Sequence, residues 1–160
     1  MNGTEYNHCV DDYSDALYGF LLKNTKDEEL AKDLVQESFM RLWEHRHEVE
    51  KAKSKSYLFT IGYHAMIDHI RKYKRMEAFT DKHHHQISNN SFSDLKEILN
   101  KAVDFLPEDQ KSVLLLRDYE GYSYKEIGDI TGLTESQVKV YIFRARVFLK
   151  NYIVHPDYVL

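Results

Sequence analysis

The chain has 160 residues, a formal net charge of -4, 42% apolar residues and 30% charged residues, a composition typical of globular proteins and not of disordered ones. No apolar stretch reaches the roughly 18–20 residues that a membrane-spanning helix needs, and the polar first ten residues predict no secretory signal. The single cysteine, Cys9, excludes an intrachain disulfide and favours a reducing cytoplasm, while 2 prolines and 6 glycines favour long helices.

The first half of the sequence predicts three helices. Apolar residues at helical spacing predict an amphipathic helix over 10–23. A capping-box pattern from Thr25 to Glu28 predicts a second helix over about 26–46, followed by a charged loop. A third helix is predicted over 56–75, and the polar, aperiodic residues 76–93 predict a linker.

The second half predicts a further series of helices with clear start signals. A helix is predicted to begin near Asp94, and Pro107 suits the first position of the next one. Capping boxes from Ser123 to Glu126 and from Thr134 to Gln137 predict a short helix and a final helix over 135–153, separated by a turn at Gly132.

Charge is distributed unevenly along this series of helices. Residues 1–50 contain 12 acids and 5 bases, residues 51–75 contain 7 bases and one acid, and residues 139–150 contain 4 bases and no acid. Two separate basic stretches on an otherwise acidic chain indicate two local contacts with a polyanion, although any single charge run is more often a solvated helix face.

The last two predicted helices have the spacing of a helix-turn-helix. At 100° per residue, one side of the final helix collects the apolar residues Val138, Ile142, Ala145 and Leu149. Another side collects Ser136, Lys139, Val140 and Phe143, flanked by Arg144 and Arg146. Such a helix can bury one side and present the other to a DNA major groove, but an amphipathic helix in an ordinary bundle would show the same pattern.

Two parts of the sequence resemble bacterial sigma factors of the extracytoplasmic-function group, within the sigma-70 family. The segment LPEDQKSVLLLRDYEGYSYKEIGDITGLTESQVKVYIFRAR, from Leu106 to Arg146, resembles region 4. Upstream, DLVQESFMRLW from Asp33 to Trp43 resembles the polymerase-docking helix of region 2, and YLFTIGYHAMIDHIR from Tyr57 to Arg71 resembles the segment that melts and reads the minus-ten element. The resemblance covers about residues 10–153.

This resemblance implies a fold, a function and partners. It implies an all-α protein with a region 2 bundle over 1–75, a flexible linker over 76–93 and a region 4 helix-turn-helix over 94–160. The implied function is that of a cytoplasmic, non-enzymatic promoter-specificity subunit without cofactor or metal. The implied partners are core RNA polymerase (the clamp helices of its largest subunit and its flap region), promoter DNA and an anti-sigma factor, without insertion into a membrane.

The resemblance also assigns three sets of residues. The residues assigned to polymerase binding are Asp33, Gln36, Glu37, Phe39, Met40 and Trp43, of which Phe39 and Trp43 could instead belong to the core. The residues assigned to the minus-ten element are Lys53, Lys55, Tyr57, Tyr63, His64, Arg71, Lys72 and Lys74. The residues assigned to the minus-thirty-five element are Ser136, Lys139, Val140, Phe143, Arg144 and Arg146, although Phe143 could also pack in the core.

Three positions depart from the family pattern. Tyr57 stands where the family often has Trp, His64 where it usually has Asn, and Lys139 where Arg is common. Lysine lacks the bidentate fork of arginine, so the sequence predicts a promoter motif with altered preference.

Three other functions remain open at this point. A stand-alone helix-turn-helix regulator would be a homodimer on a palindromic site, without affinity for polymerase. An adaptor could keep the fold and have lost DNA reading. A histidine-dependent metal enzyme would use His83, His84 and His85, although adjacent histidines on a linker seldom converge on one ion.

Overall fold

The computed structural model describes residues 1–80 and 95–154, with side chains described to residue 76 in the first range. Within these residues the chain forms seven α-helices and one short 3-10 turn at Lys51–Lys53. The helices are α1 (Gly3–Thr25), α2 (Glu28–Glu44), α3 (Ser54–Thr80), α4 (Leu95–Asp104), α5 (Glu108–Asp118), α6 (Tyr124–Thr131) and α7 (Glu135–Val154). The described ranges contain no β-strand, which confirms the all-α class.

Helices α1, α2 and α3 pack against one another and form the first helical unit. Its core contains fully buried Leu17, Leu42, Leu58 and Met66, and the rings of Phe20 and Phe59 meet with centroids 5.4 Å apart. The second helical unit comprises α4 to α7, in which α7 packs against the other three helices. Each unit therefore buries the apolar face that helical spacing predicts.

The capping residues at three helix N-termini show which predicted start signals the structure uses. Helix α1 begins seven residues before the predicted start, because Asn2 and Glu5 form a capping box in which the Glu5 N–H donates to Asn2 Oδ1 at 2.8 Å. The predicted box from Thr25 to Glu28 is wrong, since the Asp27 carboxylate caps α2 and accepts from the Leu30 N–H at 3.1 Å. The box from Ser123 to Glu126 is confirmed.

Two boundaries differ from the prediction. Pro107 lies at the N-cap of α5 and not at its first helical position. Helix α3 continues through Thr80, so the first five residues of the predicted linker are helical, and the rest of that linker lies outside the described residues.

The two helical units pack on each other in this structure. Helix α3 contacts α6, and α1 contacts α5. Phe59 of α3 and Tyr122, just before α6, meet edge to face with ring centroids 5.7 Å apart. Both rings are buried, so one apolar core runs through both units.

Candidate nucleic-acid and polymerase interfaces

A helix-turn-helix is formed by α6, a turn at Gly132 and α7. Gly132 has a φ of 81°, which favours glycine, and its N–H ends α6 by donating to the Gly128 carbonyl at 2.8 Å. The Thr134 hydroxyl accepts from the Gln137 N–H at 3.1 Å, and the Gln137 side-chain oxygen accepts from the Thr134 N–H at 2.9 Å. This capping box confirms the predicted start of α7.

Helix α7 has one buried and one exposed side, as its spacing predicts. Val138, Ile142 and Ala145 are buried, whereas the predicted DNA-facing residues are all exposed: Ser136, Lys139, Val140, Phe143, Arg144 and Arg146. Phe143 is 68% exposed, which excludes the core packing that its apolar side chain suggested. The helix therefore presents apolar, polar and cationic groups together on its free side.

Nearby carboxylates partly balance the cations of α7. Lys139 Nζ lies 3.6 Å from a carboxylate oxygen of Glu135, one turn earlier. Arg146 donates to Asp118 Oδ1 at 2.8 Å, which ties α7 to the end of α5. Arg144 forms no ion pair within the described ranges, so its guanidinium is free to bind a phosphate.

A second basic surface follows the 3-10 turn and α3. Lys51 and Lys53 are exposed on the turn, and the Ser54 hydroxyl anchors its end by donating to the Lys51 carbonyl at 2.6 Å. Tyr57 is half-buried on the first turns of α3, and burial raises the pKa of its hydroxyl. A neutral ring beside exposed ammonium groups suits an unpaired base and its phosphate.

Further along α3, Tyr63 and His64 differ sharply. His64 is exposed, whereas Tyr63 is only 5% exposed and burial raises the pKa of its hydroxyl to about 12. The Tyr63 ring is therefore inaccessible to a base in this arrangement. The remaining basic residues predicted for this surface, Arg71, Lys72 and Lys74, are exposed.

Two lysines of the first unit contact acids of the second unit. Lys55 Nζ lies 3.8 Å from a Glu120 carboxylate oxygen and 5.3 Å from the centroid of the Tyr122 ring. Lys74 Nζ lies 3.7 Å from a Glu108 carboxylate oxygen. Burial raises the pKa of Glu120, and the adjacent ammonium of Lys55 opposes that rise. Sequence patterns give no signal for these pairs, because the partners lie 34 or more residues apart.

A third surface lies on α2, where the predicted polymerase-binding residues differ in their exposure to solvent. Met40 is 63% exposed and Trp43 is 43% exposed. Asp33 and Gln36 are exposed, and half-buried Glu37 accepts a 2.7 Å hydrogen bond from Arg41. Phe39 is 7% exposed and belongs to the core, so its ring offers little surface to a partner.

Tyr6 and Arg46 also shape the α2 surface, and the sequence analysis missed both. The Tyr6 ring packs edge to face on Trp43 with centroids 4.9 Å apart, and its hydroxyl donates to the Phe39 carbonyl at 3.0 Å. The Arg46 guanidinium lies 3.8 Å from the centroid of the Trp43 ring. Two grooves of about 420 and 410 Å³ border Tyr6 and Met40. The sequence analysis missed Tyr6 because the first residues of α1 are mostly polar and were not predicted to be helical.

The described residues contain neither a cluster of metal ligands nor a membrane-spanning helix. Among them, no group of three or more His, Cys, Asp or Glu side chains could hold a metal ion. His83, His84 and His85 lie outside the described ranges. Every helix in the described ranges is too short or too polar to span a lipid bilayer.

Comparison with known families and proteins identifies the class. Residues 9–76 match the family described as Sigma-70 region 2, and residues 96–149 match Sigma-70 region 4. The ECF RNA polymerase sigma factor SigM of Bacillus subtilis is 35% identical over 144 residues, spanning 86% of this chain and 88% of SigM. SigV of the same organism is 27% identical over 151 residues, spanning 93% and 91%. The chain belongs to the sigma-70 family of RNA polymerase sigma factors, in its extracytoplasmic-function group.

Two solved structures share the fold. The sigma factor RpoE of Bartonella quintana, solved with the anti-sigma factor NepR, gives a TM-score of 0.76 at 24% identity, covering 95% of this chain and 98% of RpoE. CnrH, solved with the cytosolic domain of CnrY, gives 0.70 at 21% identity, covering 98% and 91%. These likenesses confirm the arrangement of two small helical domains.

Proposed function

We propose that this sigma factor directs core RNA polymerase to promoters by binding a minus-thirty-five and a minus-ten element, and that it helps to separate the strands at the latter. The observation that carries the proposal is the exposed side of α7, which presents Lys139, Val140, Phe143 and Arg144 beside a buried opposite side. In a family of transcription initiation factors, this side is suited to the major groove.

The α7 surface has groups for both kinds of DNA contact. Lys139 and Ser136 lie in the first turns, where they can donate to base edges, and Val140 can contact a thymine methyl group. Arg144 and Arg146 lie farther along, where they can hold phosphates. Lysine donates as a point charge, so we expect a preference that differs from that of relatives with arginine at position 139.

The first helical unit would provide the minus-ten contacts. Lys53 and Lys55 would follow the phosphates of the non-template strand, and Tyr57 and His64 would stack on or hydrogen-bond unpaired bases. Arg71, Lys72 and Lys74 would hold the upstream duplex. In this proposal, strand separation results from binding of the unpaired bases and phosphates by these residues and requires no reaction catalysed by the chain. The chain acts as a non-enzymatic cytoplasmic subunit.

The α2 surface would bind the clamp helices of the largest polymerase subunit. Exposed Met40 and Trp43 offer apolar contact, while Asp33, Gln36 and Glu37 offer acceptors to a basic partner. The second unit would contact the flap region, and an anti-sigma factor would compete for these surfaces. The proposed domain division remains 1–75, 76–93 and 94–160.

Run-off transcription tests this function. Core polymerase from the same source would be supplied with the gene's own upstream region, with and without the chain. We expect a discrete new transcript that falls about 5- to 150-fold with Lys139→Ala, since a base contact contributes about 1–3 kcal/mol. The transcript should also fall with Arg144→Ala, which removes a proposed phosphate contact. Lys101→Ala, which removes an exposed charge on α4, should leave the transcript unchanged. Core binding without any transcript would favour an adaptor, and no core binding would favour a stand-alone regulator.

A further inference from the structure

Trp43 is the large aromatic side chain that the α2 surface presents to solvent, and two neighbours restrict its ring. The Tyr6 ring meets it edge to face, with centroids 4.9 Å apart and planes inclined by 68°. The guanidinium carbon of Arg46 lies 3.8 Å from its centroid, within the range of a cation–π contact. The Trp43 ring is nevertheless 43% exposed, so the two contacts hold it without covering it.

Tyr6 is itself fixed to α2. Its hydroxyl donates to the Phe39 carbonyl at 3.0 Å, and its ring meets the Phe39 ring edge to face with centroids 6.3 Å apart. Phe39 is buried in the core of the first helical unit. Tyr6 therefore links the first turns of α1 to the helix that carries Trp43, and the core sets the position of its ring.

Arg46 is fixed by hydrogen bonds to the residue on which it stacks. Its Nη1 donates to the Trp43 carbonyl at 2.8 Å, and its backbone N–H donates to the same oxygen at 3.3 Å. This carbonyl is one of the last in α2, where helical partners are missing, so the two bonds also complete the end of the helix. The guanidinium is thereby held over the indole ring.

The two grooves of the α2 surface include these residues. Tyr6 and Met40 line both grooves, Trp43 lines the groove of about 420 Å³, and Val10 of α1 lines the groove of about 410 Å³. The walls of the grooves therefore come from α1 as well as from α2. The surface proposed for polymerase binding continues onto the first turns of α1, where the resemblance assigned no residue to polymerase.

A ring that is held before binding loses less conformational freedom in a complex. Ordering a side chain at an interface costs free energy, because the side chain loses rotamers that it populates in the free protein. Large aromatic anchors carry much of the binding energy of protein interfaces. An anchor that is already held by Tyr6 and Arg46 has fewer rotamers to lose.

We infer that Tyr6 and Arg46 are positioning residues for polymerase docking, which hold the Trp43 ring in one orientation in the free chain and thereby increase its affinity for core enzyme. This inference rests on the proposed function, in which the α2 surface binds the largest polymerase subunit. Both residues act through Trp43 and need no contact of their own with polymerase.

Time-resolved fluorescence anisotropy tests the first half of the inference on the free chain. Trp43 is the only tryptophan, so its emission reports the motion of this one ring. We expect the unaltered chain to depolarise mainly at the rate of its overall tumbling. Tyr6→Ala and Arg46→Ala should each add a faster component on the picosecond-to-nanosecond scale of exposed side chains. A fast component of the same amplitude in the unaltered chain would overturn the inference.

The matched control for Tyr6→Ala is Tyr18→Ala. It removes a half-buried tyrosine from the same helix, and Tyr18 lines neither groove. We expect it to add no fast component and to leave the affinity for core polymerase within about twofold. Tyr6→Phe keeps the ring beside Trp43 and loses only the hydroxyl, so it should retain most of the slow anisotropy and most of the affinity.

Binding to immobilised core polymerase tests whether Tyr6 acts through Trp43. Tyr6→Ala should raise the Kd about 2- to 12-fold, the factor expected when one more side chain must be ordered in the complex. In a chain that already carries Trp43→Ala, Tyr6→Ala should cause no further loss, because the ring that it positions is gone. Equal losses from Tyr6→Ala with and without Trp43 would overturn the inference, since they would indicate a direct contact or a general loss of structure.

The inference and the proposed function can fail separately. Core binding that Tyr6→Ala leaves unchanged would overturn the inference alone. Absence of core binding by the unaltered chain would overturn docking on α2, and with it the role of Tyr6 and Arg46 in docking, whatever the anisotropy of Trp43. Circular dichroism melting of each variant establishes that it folds, and Tyr6→Phe provides the test if Tyr6→Ala does not fold.

Discussion

The Ser112 hydroxyl donates a 3.0 Å hydrogen bond to Oδ1 of Asn24, which lies 88 residues earlier in the chain. Both side chains are buried, and the Asn24 amide also donates to the Phe20 carbonyl at 2.8 Å. This bond ties α5 to α1 and therefore ties the two helical units together.

The first prediction concerns this hydrogen bond. Ser112→Ala should reduce the free energy of unfolding by about 1–3 kcal/mol, because it leaves a buried acceptor on Asn24 without a donor. Ser136→Ala, at an exposed position of α7, should change it by no more than about 0.5 kcal/mol. Urea denaturation followed by circular dichroism measures both. Equal effects of the two substitutions would show that the units do not depend on the buried bond.

The second prediction concerns the helix-turn-helix. A Cβ atom at Gly128 would lie 2.9 Å from the Leu133 carbonyl oxygen, a backbone atom that cannot move away alone. Gly128→Ala should therefore destabilise the second unit by about 1–3 kcal/mol. Gly19→Ala in α1 meets nothing within 4 Å and should stabilise the chain by about 0.5–1 kcal/mol. Thermal melts measure the melting temperatures of both variants. Equal shifts for Gly128→Ala and Gly19→Ala would contradict this account.

The third prediction concerns alkaline pH. Burial raises the pKa of Tyr63 from 10.0 to about 12, and burial also raises the pKa of Tyr122. Between pH 10 and 12 the unfolded chain binds fewer protons than the folded chain, so the free energy of unfolding must fall as pH rises. Thermal unfolding at pH 9 and pH 11 should show a lower midpoint at pH 11. Tyr63→Phe should reduce this difference, and an unchanged difference would contradict the role given to Tyr63.

The fourth prediction concerns polymerase docking. Trp43→Ala or Met40→Ala should weaken binding to core polymerase about 10- to 100-fold, since exposed aromatic and apolar anchors commonly dominate interfaces. Tyr73→Ala removes a comparably exposed side chain from α3 and should leave core affinity within about twofold. Fluorescence titration of labelled chain with core enzyme measures both. Equal losses from α2 and α3 would contradict docking on α2.

Local sequence patterns predicted α7 well because its structure is set locally. The capping box at Thr134 fixes its start, and the period of 3.6 residues separates buried Ile142 from exposed Phe143. The same reasoning missed the first turns of α1, where Tyr6 is surrounded by polar residues and only the Asn2–Glu5 box signals a helix.

Contacts between distant segments could not be predicted in this way. Asp109 and Glu108 of α5 are among the charges that act on the Tyr63 hydroxyl, and the partner of Lys55 is Glu120, 65 positions later. Phe39 was assigned to polymerase binding with its neighbours on α2, but it is buried. A resemblance to a docking helix does not show which of the apolar residues of that helix face the core. Exposed surfaces follow from helical period, whereas the arrangement of the two units follows from tertiary packing alone.

Permanganate probing tests most directly whether this chain gives core polymerase both promoter choice and strand opening. Unpaired thymines react with permanganate, whereas thymines in a duplex are protected. With core polymerase and the gene's upstream region, we predict reactive thymines around the minus-ten element only when the chain is present, and loss of that reactivity with Lys139→Ala. Binding of the chain and core to this DNA with every thymine protected would contradict the account.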